Sequence, residues 1–189
     1  QTDVTLEGAN MTFSITQTGN TNTIAAVIKG TTYTGTWAFT GDSNTVDLKC
    51  SSNSTGNCDT VTLNVTATGD ANTFDFDIGE TTSADNSTVS FTLTGDNSDV
   101  VAAIDGTSAA VTVTNDNSSS LATTSTDSDE GNVITLNMDG NGDVNGNTVT
   151  LDIVGGGSTY NVTQSGVNDN IVDADFDGDS QDVDITQSD

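Results

Sequence analysis

The sequence predicts an all-β chain folded as a β-solenoid of about seven stacked strand–turn–strand rungs, and three observations carry that expectation. Thr, Asn, Asp, Gly and Ser dominate the composition, and all are mediocre or poor helix formers. Apolar residues recur with period two rather than 3.6, the signature of half-buried strands. A turn of the form Gly-x-x-Asn recurs with apolar residues at fixed distances on both sides, which is the mark of an internal repeat. An antiparallel β-sandwich is the alternative, since it also has short alternating strands. A sandwich does not require so constant a register around each turn.

Residues 1–10 read as an N-terminal strand or arm, and residues 11–189 as the repeat array. The first copy carries Phe13, Ile15 and Gln17 before Gly19 and Asn22, then Ile24, Ala26 and Ile28. The second carries Trp37 and Phe39 before Gly41 and Asn44, then Val46 and Leu48. The third runs through Leu63, Val65 and Ala67 to Gly69 and Asn72, then Phe74, Phe76 and Ile78. The fourth runs through Val89, Phe91 and Leu93 to Gly95, then Val100, Ala102 and Ile104. In these copies the inward residues fall six, four and two places before the glycine, and five, seven and nine after it. Alternation puts all of them on one face of two strands. Glycine permits the positive φ that tight turns need, and Asn or Asp beside it tolerates the same conformation. A degenerate fifth copy aligns Ala109, Val111 and Val113 before Asn115. A sixth places Leu136 and Met138 before Val149, Leu151 and Ile153. A seventh places Tyr160, Val162 and Gln164 before Gly166, then Ile171. The spacings of 22, 28 and 26 residues between the first four glycines require extra residues in loops between rungs. Rungs about 4.8 Å apart would make a rod of roughly 35 Å.

The charge limits what such a rod can do. There are 28 acidic residues against two lysines, Lys29 and Lys49, with no histidine and a net charge of −26. That surface repels nucleic acid and anionic membranes, because both need Lys or Arg to neutralise phosphate. Divalent cations or high salt would suit it. Without histidine, the usual base near neutral pH is missing. No phosphate loop, nucleophile elbow or zinc spacing is present either. The expectation is a protein that is not an enzyme. No apolar run approaches the roughly 20 residues of a membrane helix, so no membrane insertion is expected. Cys50 and Cys58 flank a polar, turn-forming segment, so a disulfide between them is sterically easy and fits an oxidising compartment. A chain opening at Gln1 without Met is expected of a mature form whose signal peptide has been removed. Extracellular or cell-surface localisation is the corresponding expectation.

The repeat resembles curlin, the repeat protein of curli fibres, whose copies run Ser-x5-Gln-x-Gly-x-x-Asn-x-Ala-x3-Gln. Ser158, Gln164 and Gly166 stand at the family spacing, with Asn170 one place late. Gln17, Gly19 and Asn22 match in the first copy, where Met11 replaces Ser, Ile24 replaces Ala and Ile28 replaces the second Gln. The middle copies keep Gly and usually Asn but place Phe39, Ala67 and Leu93 at the Gln position. The resemblance covers the rung pattern from about residue 11 to 189, with the Gln positions kept only near the two ends. It implies an extracellular filament subunit whose partners are copies of itself, since Gln ladders help curlin pair between molecules.

The C-terminal sequence points the same way. Val183, Ile185 and Gln187 reproduce the spacing of Phe13, Ile15 and Gln17. They read as a half rung with an unblunted edge for head-to-tail stacking. Outward positions before the turns form a Thr ladder: Thr16/Thr18, Ala38/Thr40, Thr66/Thr68, Thr92/Thr94, Thr112/Thr114, Thr163/Ser165 and Thr186/Ser188. Such arrays resemble the flat Thr faces of ice-binding β-solenoids, which gives a second functional expectation; an adhesin or surface-layer module is a third. Asp173, Asp175, Asp177, Asp179 and Asp184 alternate around Gly178 with the last at the twelfth place, as oxygen ligands do in an EF-hand loop. They are the candidate Ca²⁺ ligands. Sequons at Asn10, Asn53, Asn64, Asn86, Asn117 and Asn161 are candidate glycan sites.

Overall fold

Runs of alternating apolar and Thr-rich residues can bury one face only by stacking, and the chain folds accordingly. The computed structural model describes residues 1–51, 60–78, 86–95, 98–104, 110–115, 119–130, 133–140, 148–156, 159–166, 170–177 and 180–188. All regular structure among them is strand. One eight-stranded sheet contains β1 (Thr2–Glu7), β4 (Thr23–Lys29), β6 (Thr45–Ser51), β8 (Thr73–Ile78), β10 (Ser98–Ile104), β12 (Ser119–Glu130), β14 (Thr148–Gly156) and β16 (Ile171–Asp177), in that spatial order. The second sheet runs β2 (Asn10–Thr12), β5 (Thr32–Thr40), β7 (Thr60–Thr68), β9 (Thr88–Thr94), β11 (Ala110–Asn115), β13 (Val133–Gly140), β15 (Thr159–Gly166) and β17 (Asp182–Ser188). There β3 (Ile15–Thr18) pairs with β5 alongside β2.

Apart from β2 and β3, which share the second sheet, consecutive strands lie in opposite sheets, and every pairing between neighbours is parallel. That arrangement is a β-solenoid and rules out the antiparallel sandwich. The strand–turn–strand units are β2/β3 with β4, β5 with β6, β7 with β8, β9 with β10, β11 with β12, β13 with β14, and β15 with β16. The first ten residues contribute β1, the outermost strand of the first sheet, and β17 lies at the far end of the second.

Register keeps like positions stacked. Ile24 pairs with Val46, Val46 with Phe74 and Phe74 with Val100 along one sheet. Trp37, Val65 and Phe91 follow one another along the other. These residues are buried between the sheets. The middle of the core is aromatic. Phe76 and Phe91 lie 5.0 Å apart, Phe39 and Phe74 5.6 Å, and Trp37 and Phe76 5.9 Å in an edge-on pair. Such geometry adds about 0.5–1.5 kcal/mol per pair beyond burial. Buried Tyr33 ties the core to the first rung, accepting from Trp37 Nε1 at 2.8 Å and donating to the Phe13 carbonyl at 2.9 Å.

The fifth copy departs from the sequence alignment. Val111, Val113 and Asn115 pair with Val89, Phe91 and Leu93, so the inward register begins at Val111 rather than Ala109. Thr114 consequently pairs with Thr92, two places from the expected partner Thr94. Position 117 is Asn where the other copies have glycine, and without that glycine only Asn115 anchored the alignment.

Candidate functional site

The recurring corner is built from two left-handed positions. Gly19, Gly41, Gly69 and Gly95 have φ of 117°, 125°, 125° and 132°, values that L side chains rarely adopt. The second position falls on Thr21, Ser43 and Ala71, at 57°, 57° and 55°. The sequence suggests that Asn or Asp beside the glycine would carry this conformation; the structure gives it to the residue just before each Asn. The glycines are also in close register. A Cβ on Gly41 would sit 2.5 Å from the Gly19 carbonyl oxygen, and one on Gly69 2.5 Å from that of Gly41.

The asparagines are released for a different task. Asn22 Nδ2 donates to the Gly19 carbonyl at 2.6 Å and to Asn44 Oδ1 at 2.9 Å. Asn44 Nδ2 repeats this with the Gly41 carbonyl at 2.8 Å and Asn72 Oδ1 at 2.9 Å. Each acceptor oxygen also takes the backbone N–H of the preceding Asn, at 3.1 Å for Asn22 and 3.0 Å for Asn44. A second ladder runs outside it: Asp42 N–H donates to Asn20 Oδ1 at 2.9 Å, and Asp70 N–H to Asp42 Oδ1 at 3.0 Å. Ladders of this kind supply stacking energy where apolar burial is thin. Gly166 closes β15 and pairs with Gly140.

The two outer faces differ chemically. From β5 to β11, every outward residue of the second sheet is Thr, Ser, Asn or Ala. Thr12, Thr34, Thr62 and Thr88 stand in one column, and Thr18, Thr40, Thr68 and Thr94 in another. The first sheet is acidic outside. Asp47 pairs directly with Asp75 and Lys49 with Asp77, where Lys49 Nζ lies 3.6 Å from Asp77 Oδ2. Desolvation, reinforced by Asp77 and Asp47 and partly offset by Lys49, holds the Asp75 carboxyl above its ordinary pKa. Burial similarly raises Asp99.

The ends carry the Gln positions. Gln164 is fully buried and donates to the Ile171 carbonyl at 3.2 Å. Gln187 Nε2 donates to Gln164 Oε1 at 2.7 Å and to the Asn170 carbonyl at 3.2 Å. At the opposite end Gln17 Nε2 donates to Asn22 Oδ1 at 3.0 Å, which joins Gln17 to the Asn ladder. Val183 and Ile185 turn toward the interior register but remain 40% and 42% exposed.

Among the described residues, the candidate Ca²⁺ ligands Asp173, Asp175 and Asp184 are not brought together. Asp173 and Asp175 are exposed on β16 in the first sheet, and Asp184 is exposed on β17 in the second. Asp177 ends β16, and Asp179 lies outside the described residues. Among the described residues, no group of three or more Asp, Glu, Cys or His is placed to hold a metal ion. Cys50 is buried in β6 and disulfide-bonded; Cys58 lies outside the described residues. Among the described residues no helix is long and apolar enough to cross a membrane. The Asn ladder and the Tyr33–Trp37 pair went unread in the sequence. A constant Asn three places after each glycine is the signal that could have revealed the first, and no pattern marks the second. Comparison of the chain with models of known families, with curated proteins and with solved structures found no match.

Proposed function

We propose that the chain is a curlin-like structural subunit, not an enzyme, secreted and stacked head to tail into an extracellular filament or matrix fibre. One observation carries this reading. The end strands of the second sheet, β3 and β17, bear the same motif, Ile15-Thr16-Gln17-Thr18 and Ile185-Thr186-Gln187-Ser188, in equivalent register positions. Among the described residues neither strand has a neighbour on its far edge. A register kept from the first copy of the repeat to the last can be continued by a second chain, and a heterologous contact of that kind propagates without closing. Negative-stain imaging of purified protein across a concentration series is the test. Filaments whose width matches one solenoid are expected, and a monodisperse monomer at high concentration under all solution conditions would sink the reading.

The threonine face supports a second reading, an ice-binding surface. Its columns are uncharged and in register from β5 to β9, which offers a regular array of methyl and hydroxyl groups. Thermal hysteresis that disappears on replacing Thr40 and Thr68 with Lys would establish it. Filaments without hysteresis would leave only the structural role.

A further inference from the structure

On a chain with a net charge of −26, one side of the solenoid is neutral. None of the strands β2, β3, β5, β7, β9 and β11, which follow one another in the second sheet, contains a charged residue. Their outward threonines stand in register, Thr66 beside Thr92 and Thr68 beside Thr94. Thr34, Thr36, Thr66, Thr68, Thr92 and Thr94 are all exposed. The first sheet is the opposite case, with Asp47 stacked on Asp75 along its outer face.

We infer that this neutral threonine face packs against the same face of a second copy, side by side along the solenoid axis, and that ionic strength governs the pairing. The inference goes beyond the filament reading, since lateral pairing needs no contact along the axis. Its first support is area. With strands about 4.8 Å apart and residues about 3.3 Å apart, the patch from β2 and β3 to β11 measures roughly 25 Å by 25 Å. Two such patches bury on the order of 1,200 Å², the size of a specific interface rather than of a chance contact. Its second support is periodicity. Both partners carry the same spacing in both directions, so methyl groups can interdigitate over the whole patch. Threonine hydroxyls both donate and accept, which lets facing columns satisfy one another.

Charge selects both the face and its orientation. Pressing the Asp47–Asp75 column against a second chain would take like charges out of water without a partner, so the threonine face is the one that two copies can share. Asp42 and Asp70 are exposed at the corner where this face ends, just beyond Thr40 and Thr68. A two-fold axis parallel to the strands would set these acidic corners against each other. An axis parallel to the stack sends them to opposite margins of the interface, and this is the arrangement that the charges favour. The contact is then isologous, made by one patch on both partners. What remains is repulsion between two acidic chains, which reaches about 30 Å at 0.01 M salt and only about 8 Å at physiological ionic strength. Salt should therefore promote pairing.

Sedimentation and imaging of the full chain at about 0.01 M and about 0.5 M NaCl, a range from weak to strong screening, measure the pairing. At the higher concentration the mass should double, or filaments should be two solenoids wide; at the lower, single solenoids are expected. Thr36→Glu combined with Thr66→Glu should weaken pairing at least about tenfold, because the added carboxylates would be buried unpaired. Thr23→Glu combined with Thr45→Glu adds the same charge at exposed positions of the first sheet and should pair nearly as the wild type does. Circular dichroism should be unchanged in both. A nitroxide on Thr40→Cys reads the orientation: labels about 25–30 Å apart support an axis along the stack, and labels within about 15 Å overturn it. Equal losses in the two double variants would reduce the effect to net charge and overturn the interface. Single-width filaments at about 0.5 M NaCl would overturn pairing while the filament reading stands, and compact pairs without filaments would do the reverse. A chain that stays monomeric and shows thermal hysteresis would give the face to ice instead.

Discussion

Each rung turns twice, and the two corners are made differently. Where the chain passes from the second sheet to the first, residues 19–22, 41–44 and 69–72 form the same four-residue turn, with the same two left-handed positions and the same Asn ladder. Where it returns, the connections run through residues 30–31, 52–59 and 79–87, with no common length or motif. A ladder that bonds each corner to its neighbours permits no insertion, because one extra residue would move every side chain to the other face. Among the described residues the return side shows no such ladder, and individual contacts hold its first connection. At that connection Thr31 Oγ1 donates to the Ala9 carbonyl at 2.5 Å, and Tyr33 reaches back to Phe13. Register in this fold is therefore set on one side and merely accommodated on the other.

The strongest way to break that asymmetry is Gly41→Ala. The substitution meets strain at φ 125° and a Cβ 2.5 Å from the Gly19 carbonyl. Backbone strain of about 1–3 kcal/mol adds to overpacking of about 1–3 kcal/mol, so urea unfolding should show a loss on the order of 3 kcal/mol or more. A loss below about 1 kcal/mol would mean that the corner is less rigid than its ladder suggests.

Asn44→Ala comes next. It removes the acceptor used by the Asn22 amide and side chain, and the donor to the Gly41 carbonyl and Asn72. Orphaned buried groups cost about 1–3 kcal/mol, and a fall of about 2–3 kcal/mol is expected. Asn44→Ser should lose less, since Ser98 already fills the equivalent place beside Asn72 in the fourth copy. Equal losses for Ser and Ala would show that the amide ladder contributes nothing beyond packing.

This difference between corners also governs what the sequence disclosed. Gly-x-x-Asn with flanking alternation was legible as a solenoid rung because the constant corner forces both strands into fixed phase with the turn. The same spacing could not say which turn residue is left-handed, since Thr21, Ser43 and Ala71 share no side-chain chemistry. The fifth copy misled because it lacks the glycine, leaving alternation alone, which cannot distinguish a register from one two residues away. The aspartates from 173 to 184 read as calcium ligands because alternate oxygens in a loop and alternate outward residues in a strand have the same spacing. Of these, Asp173 and Asp175 lie on β16 in the first sheet and Asp184 on β17 in the second. Tyr33 and Trp37 meet four residues apart through a hydrogen bond that no motif announces.

Tyr33 provides a smaller, pH-dependent test on the return side. Burial, partly countered by the hydrogen bond from Trp37, pushes its phenol up to about 12 from an ordinary 10. The folded state thus holds this proton more tightly than the unfolded chain. The stability it contributes is complete below pH 10 and declines as pH rises from 10 toward 12. Tyr33→Phe should cost about 1–2 kcal/mol at neutral pH, because Trp37 Nε1 and the Phe13 carbonyl lose their shared partner. It should also flatten the alkaline limb of a denaturation-versus-pH curve. A variant with the wild-type alkaline slope would assign that slope to other groups.

The smallest effect should come from lengthening a return connection, and it sharpens the comparison most directly. Inserting Gly-Ser between Asn53 and Ser54 adds two residues to a connection whose counterparts already differ in length from rung to rung. Loop-closure entropy rises by only about 0.6 kcal/mol for each doubling of length, so the cost should be a few tenths of a kcal/mol. The same dipeptide inserted between Asp42 and Ser43 interrupts the Asn20–Asp42–Asp70 ladder and separates Gly41 from Asn44. It should remove several kcal/mol or prevent folding. Both insertions carry identical composition and unfolded-state entropy, so their difference isolates the corner itself. Chemical denaturation of the two variants side by side is the measurement. If both cost the same, register is set by the stacked strands and not by the Gly-x-x-Asn corner.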